Sequence, residues 1–161
     1  MIRKAGFVLI VLSTLFALAP PLRAEDGATA AKLENLMKAS GYKSAAKVKD
    51  AVWTIDFTGK QLPRFKVVVT ATDKDKSGII VALVNPVAKD QLPRNRAALT
   101  GAILKANNDF DYVKVAFDKD GDLFVRADMP PGMDVNSFKT VVEQVAAAAD
   151  EFCGRIKPLL R

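Results

Sequence analysis

Six consecutive apolar residues, Ile79-Ile80-Val81-Ala82-Leu83-Val84, constrain the fold more than any other stretch of the chain. The run is too short for a helix of ordinary length and rich in β-branched residues, so it reads as a strand. Side chains alternate along a strand, which sends Ile79, Val81 and Leu83 to one side and Ile80, Ala82 and Val84 to the other. Neither set tolerates water well. Both faces of this strand therefore need a cover.

The neighbouring segments supply a sheet for it to join. Val52 to Thr58 alternates, with Trp53, Ile55 and Phe57 on one side, and ends at the turn residue Gly59. Phe65 to Thr72 is a second β-branched run, joined to Ile79–Val84 by the turn Asp73-Lys74-Asp75-Lys76-Ser77-Gly78. Tyr112 to Phe117 and Leu123 to Ala127 flank Asp118-Lys119-Asp120-Gly121 and form a third hairpin. A three-residue loop with Gly121 in the left-handed position pairs Phe117 with Leu123, Val115 with Val125 and Val113 with Ala127, which keeps the apolar residues together. That register sets Lys114 beside Arg126, tolerable where the face is wet or an acid intervenes.

Three segments have helical periodicity. Thr29 to Ala39 carries Leu33, Leu36 and Met37 and stops at Gly41. A second helix starts near Pro93, whose missing N–H costs nothing in a first turn, and places Leu99, Ala102, Ile103 and Ala106 on one stripe before Asn107-Asn108. The longest begins after Asp134, a good N-cap, and runs to about Lys157, where Pro158 stops it. Its stripe is Val135, Phe138, Val141, Val142, Val145, Ala149, Phe152 and Ile156. The expected fold class is α+β, an antiparallel sheet of about five strands with three helices in the order α-β-β-β-α-β-β-α.

The N-terminus reads as an address. Arg3 and Lys4 precede an apolar run from Ala5 to Ala19, and Pro20-Pro21-Leu22-Arg23-Ala24 closes it, the order of a secretory signal peptide. A run of fifteen residues, interrupted only by Ser13 and Thr14, is shorter than the about 20 that span a bilayer, so cleavage after Ala24 is expected, with no stable membrane anchor afterwards. Residues 25–161 then form a single α+β domain, and the chain is expected in the periplasm or secreted. The full chain has 24 Lys and Arg against 18 Asp and Glu; loss of Arg3, Lys4 and Arg23 leaves a net charge of +3. With so small a surplus, and no cluster of basic and aromatic residues, nucleic acid is not an expected partner.

This order, together with Leu104-Lys105-Ala106-Asn107-Asn108, the hairpin Phe117-Asp118-Lys119-Asp120-Gly121-Asp122-Leu123-Phe124-Val125-Arg126 and the last helix from Phe138 to Ile156, resembles the YbjN-like proteins, which look like the type III secretion chaperone fold. The resemblance covers Lys32 to Leu160. It implies a compact module that pairs as a homodimer and binds segments of other proteins, or acts as a regulator in sensory transduction. The signal peptide departs from that pattern, because secretion chaperones work in the cytoplasm.

Candidate chemistry is sparse. The chain has no His, which removes the commonest general base and zinc ligand, and neither a Gly-x-Ser-x-Gly elbow nor a phosphate-cradling glycine loop. The single Cys153 borders the apolar stripe of the last helix and is read as buried, a partner's disulfide being the alternative. Asp73, Asp75 and Ser77 with Gly78 match the start of a calcium loop, but Val84 stands where a bidentate Glu belongs. Asp118, Asp120 and Asp122 match it less well still. Hairpin turns explain both, and no cofactor, catalytic residue or metal site is expected.

The expected function is that of an exported, non-catalytic protein-binding module, chaperone-like or regulatory. Its partner and dimer surface is assigned to Ala97, Ala98, Gly101 and Ala102 on the second helix together with Ile80, Ala82 and Val84 on the doubly apolar strand. A homodimer and a protein or peptide client are the expected partners. The alternative is a small-ligand or calcium-binding sensor that uses the acidic hairpin turns.

Overall fold

In the computed structural model, which describes residues 24–72, 78–93 and 96–160, a single sheet has helices on one side. The elements run α1 (Ala24–Ser40), β1 (Ala45–Lys49), β2 (Val52–Phe57), β3 (Phe65–Thr72), β4 (Gly78–Val84), α2 (Ala97–Asp109), β5 (Lys114–Phe117), β6 (Leu123–Met129) and α3 (Val135–Ile156). All strand pairs are antiparallel, in the spatial order β1-β2-β3-β4-β6-β5. The α+β class and the helix order are as expected. The sheet has six strands rather than about five. The extra one, β1, is short, lysine-bearing and exposed along most of its length, so it lacks the alternation by which a strand is read from sequence.

The doubly apolar strand β4 sits in the middle of this sheet, between β3 and β6. Its odd-numbered side chains, Ile79, Val81 and Leu83, continue across the strands as Val67 and Val69 on β3, Ile55 on β2, and Val125, Ala127 and Met129 on β6, all buried. α3 crosses this surface with Phe138, Val142, Val145, Ala149, Phe152 and Ile156, recurring at alternating four- and three-residue steps and fully buried. α1 adds Leu33, Leu36 and Met37, and α2 adds Leu99, Ile103 and Ala106. Phe138 and Phe152 are the largest fully buried side chains, and truncating either to Ala would cost about 3–5 kcal/mol.

Local signals set the ends of these elements. Asp134 accepts from the N–H groups of Asn136 (2.8 Å) and Ser137 (3.1 Å) as the N-cap of α3, and holds the Ser137 hydroxyl at 2.6 Å. Gly41 (φ 71°) takes the left-handed position after α1, and Gly121 (φ 77°) does the same in the β5–β6 loop. The β5–β6 pairing matches Phe117 with Leu123 and Val115 with Val125, as the apolar pattern predicts, but the expected Val113–Ala127 pair is not formed: β5 starts only at Lys114, because the chain turns at Tyr112 (φ 62°). Lys114 does stand beside Arg126, and Asp128, two residues along the same face, draws the guanidinium to itself at 2.6 Å.

α2 begins at Ala97 rather than near Pro93. The chain before it makes a short 3-10 turn at Lys89–Gln91, so Pro93 follows that turn instead of opening the helix. At the other end, Asn107 has a use that its helix-ending role does not convey. Its side-chain amide donates to the Val115 carbonyl (2.9 Å) and accepts from the Val115 N–H (2.7 Å), so it caps the outer edge of β5 in place of a further strand.

Candidate functional site

The even-numbered side chains of β4 point away from all three helices, and the register identifies their neighbours. One row runs Ala46, Thr54, Val68, Ala82, Arg126, Lys114 across all six strands. The adjacent rows carry Val52, Thr70, Ile80 and Asp128 on one side and Val84, Phe124 and Ala116 on the other. The centre of this face is thus a flat field of Val, Thr, Ala, Ile and Phe. Val84 is 49% exposed, while Ala82, hemmed in by its neighbours, is 8% exposed. No described element packs over it.

Charge enters the face one strand from its centre, where Arg126 stands across from Ala82 and Asp128 across from Ile80, and it is largely paired within the chain. Lys66 pairs with Asp56 at 2.6 Å across β2 and β3, and Arg126 pairs with Asp128 through both Nε (2.8 Å) and Nη2 (2.6 Å). Such exposed pairs add only about 0.2–1 kcal/mol each, so their larger effect is to leave the centre neutral. The ten uncharged positions in these rows, each about 4.8 by about 6.8 Å, make a patch of roughly 300 Å², well below the about 800 Å² that each partner gives to a standard interface.

The seven residues assigned to the partner surface separate into two layers. Ile80, Ala82 and Val84 lie on the uncovered sheet face. Ala97, Ala98 and Gly101 are exposed on α2 in the helical layer, and Ala102 is half-buried against the core. A β-carbon added at Gly101 would meet nothing within 4 Å. The two groups therefore do not form one patch. Thr54, Val68, Thr70, Ala116 and Phe124, which complete the sheet face around β4, lie outside the seven residues that the sequence assigns to the partner surface. The signal that finds them is strand alternation: once Ile55, Val67, Val69 and Val125 are placed toward the helices, the residues between them must face the other way.

Titratable groups that could have suggested chemistry are held in structural roles. Asp150 on α3 accepts from three successive backbone N–H groups, those of Lys60 (3.0 Å), Gln61 (2.7 Å) and Leu62 (2.7 Å). Burial raises its pKa, but these donors and Lys60 together outweigh that and hold it below the ordinary value. Cys153, one turn on, is buried; desolvation and then Asp150 push its thiol up to about 11, so it carries little of the reactive thiolate. Arg155 binds Asp109 and Glu151, both at 2.6 Å, and lies over the Phe110 ring. In the acidic hairpin turn, Asp118 Oδ1 accepts from the N–H groups of Asp120 and Asp122, while Lys89 lies 3.8 Å from Asp122 and donates to the Asp120 carbonyl. The other acidic turn, residues 73–77, lies outside the described residues, as does the expected signal segment up to residue 23.

No protein-family model matches the sequence, and no curated protein matches it. Among solved structures, the chain is similar to one from the heterodimeric ExoU-SpcU complex of the type III secretion system of Pseudomonas aeruginosa, at 19% identity and a TM-score of 0.48. The similarity covers 80% of this chain and 98% of that one. Among the described residues, no helix is long and apolar enough to cross a membrane.

Proposed function

We propose that this chain is an exported, non-catalytic protein-binding module that receives a segment of another protein on the uncovered face of its sheet. One observation carries the reading: all three described helices pack on the same side, so Val52, Val68, Ile80, Ala82, Val84 and Phe124 are presented on the other. The largest apolar patch on a monomer, at about 300–600 Å², is often a functional surface. The area suits a client segment or a transient contact rather than an obligate subunit. Affinity would come from apolar burial, with little electrostatic steering from a neutral centre. The signal sequence supports export to the periplasm or beyond, and the YbjN-like resemblance of Lys32–Leu160 supports a chaperone-like or regulatory role.

A photo-crosslinking residue at position 84 in the exported protein, followed by rebinding of the captured partner in pure form, tests this. The expected result is a partner whose affinity falls about tenfold or more with Val84→Asp. A partner that binds the Val84→Asp chain as tightly as the parent would contradict it.

The proposal includes a homodimer through the exposed small residues Ala97, Ala98 and Gly101, where a second backbone has room to approach. Gly101→Glu should then halve the mass seen by light scattering. A mass unchanged by that substitution would exclude this contact.

A further inference from the structure

A second feature, on the helical side and separate from the sheet face, has the character of a binding trough. β6 extends to Met129, but its neighbour β5 starts only at Lys114, opposite Arg126. The hydrogen bonds Asn85 N–H to Leu123 O (2.8 Å) and Asp118 N–H to Asp122 O (2.9 Å) fix which way each backbone group of β6 points. Odd-numbered residues bond toward β4 and even-numbered ones toward β5. The backbone N–H and C=O of Asp128 therefore face the place where the next residue of β5 would stand. No described strand is there, because the chain turns away at Tyr112 (φ 62°), closing a tight turn with Val113 N–H on Asp111 O (2.8 Å).

Beside this open edge is a cavity of about 340 Å³ whose walls include Ala127, Met129, Met133 and Val141, with Tyr112, 80% exposed, at its rim. Such a volume lies in the about 300–1,000 Å³ range of ligand sites. A second cavity, about 210 Å³, continues along α3 and is lined by Asp109, Asp111 and Glu151. The two share Gln144. Its Oε1 is buried and has no hydrogen-bond partner, the one side-chain oxygen or nitrogen so placed among the described residues. A buried amide oxygen without a donor calls for one.

From Ser137 to Glu151 the trough follows α3 for about 21 Å, the length of six extended residues. Its first half is apolar, and its second carries Asp109, Asp111 and Glu151, of which Asp109 and Glu151 share the one guanidinium of Arg155, so the acids outnumber the charge that Arg155 supplies. We infer that this trough binds an extended peptide segment, aliphatic at one end and basic at the other, which pairs its backbone with Asp128 and offers a donor to Gln144.

Fluorescence anisotropy on the mature chain tests this, with a labelled, end-blocked hexapeptide of three aliphatic residues, a serine and two lysines, made in both chain directions. One direction should bind. Replacing the lysines by glutamates should weaken it at least tenfold, Thr140→Trp should block the trough and abolish binding, and Gln144→Leu should weaken binding about tenfold with no loss of thermal stability. Val84→Asp, on the other side of the sheet, should leave binding unchanged, which separates this site from the sheet-face reading. Failure of both peptides to bind, equal binding of the lysine and glutamate forms, indifference to Thr140→Trp or Gln144→Leu, or loss of binding in Val84→Asp would each overturn the inference.

Discussion

The carboxylate of Asp150 occupies the space that a β-carbon on residue 59 would need, so Gly59 and Asp150 are sterically matched across the β2–β3 loop and α3. The match lets Asp150 reach the N–H groups of residues 60–62, three donors that point at one anion. One turn further along α3, Gly154 leaves space for the Gln61 side chain, where an added β-carbon would come within 3.0 Å. The loop is thereby fixed to the last helix at two points.

Gly59→Ala should destabilise the fold by about 1–3 kcal/mol through overpacking, and Asp150→Ala by a similar amount through the three donors left without an acceptor. The double variant should lose less than the sum, because the alanine at 59 then has room. Urea unfolding of the four proteins gives the cycle, and strictly additive losses would show that the two residues do not act on each other.

Acid sensitivity should follow from the same carboxylate. Asp150 has its pKa depressed in the folded chain, so its contribution is present above the ordinary value of 3.8 and disappears as pH falls below it. Asp134 is depressed as well, first by the Ser137 hydroxyl and then by the Ser137 N–H. Between about pH 5 and about pH 2 the parent should therefore lose stability more steeply than Asp150→Asn does. Chemical denaturation across that range is the check, and parallel curves would refute the prediction.

The thiol of Cys153 should be silent in the native state. Buried, and pushed up to about 11 by desolvation, it should react with a thiol reagent only after unfolding, and a nonreducing gel should show no dimer band that Cys153→Ser removes. Rapid stoichiometric labelling of the folded chain would contradict this.

Asn107→Ala should uncover the edge of β5. Both backbone groups of Val115 lose their partner, at a cost of about 1–3 kcal/mol, and an unpaired edge invites pairing with another chain. Unfolding and turbidity measurements should show a less stable and more aggregation-prone protein, and an unchanged pair of values would show that the cap is dispensable.

Much of this architecture is legible in the sequence because strong periodicity leaves few choices. The α3 stripe from Phe138 to Ile156 and the Val115–Val125 register follow from spacing alone. β1 does not, since Ala45–Lys49 is a strand by virtue of pairing with β2 and its exposed edge needs no apolar alternation. The doubly apolar β4 announces that two covers are needed, but local pattern cannot say that three helices will share one face. Asn107 and Gly59 read only as a helix end and a turn, for a related reason: their partners, Val115 and Asp150, lie 8 and 91 residues away, and only the assembled fold brings the pairs together.

The most direct test of an open sheet face is solvent accessibility of its methyl groups. In methyl NMR of the mature chain with a soluble paramagnetic agent, Val84, Ile80 and Val68 should be strongly relaxed, while Val67, Val69 and Val81 on the helix-covered side should be protected. Equal protection of both sets at every protein concentration would mean that the face is covered in the free chain, and the docking proposal would fail.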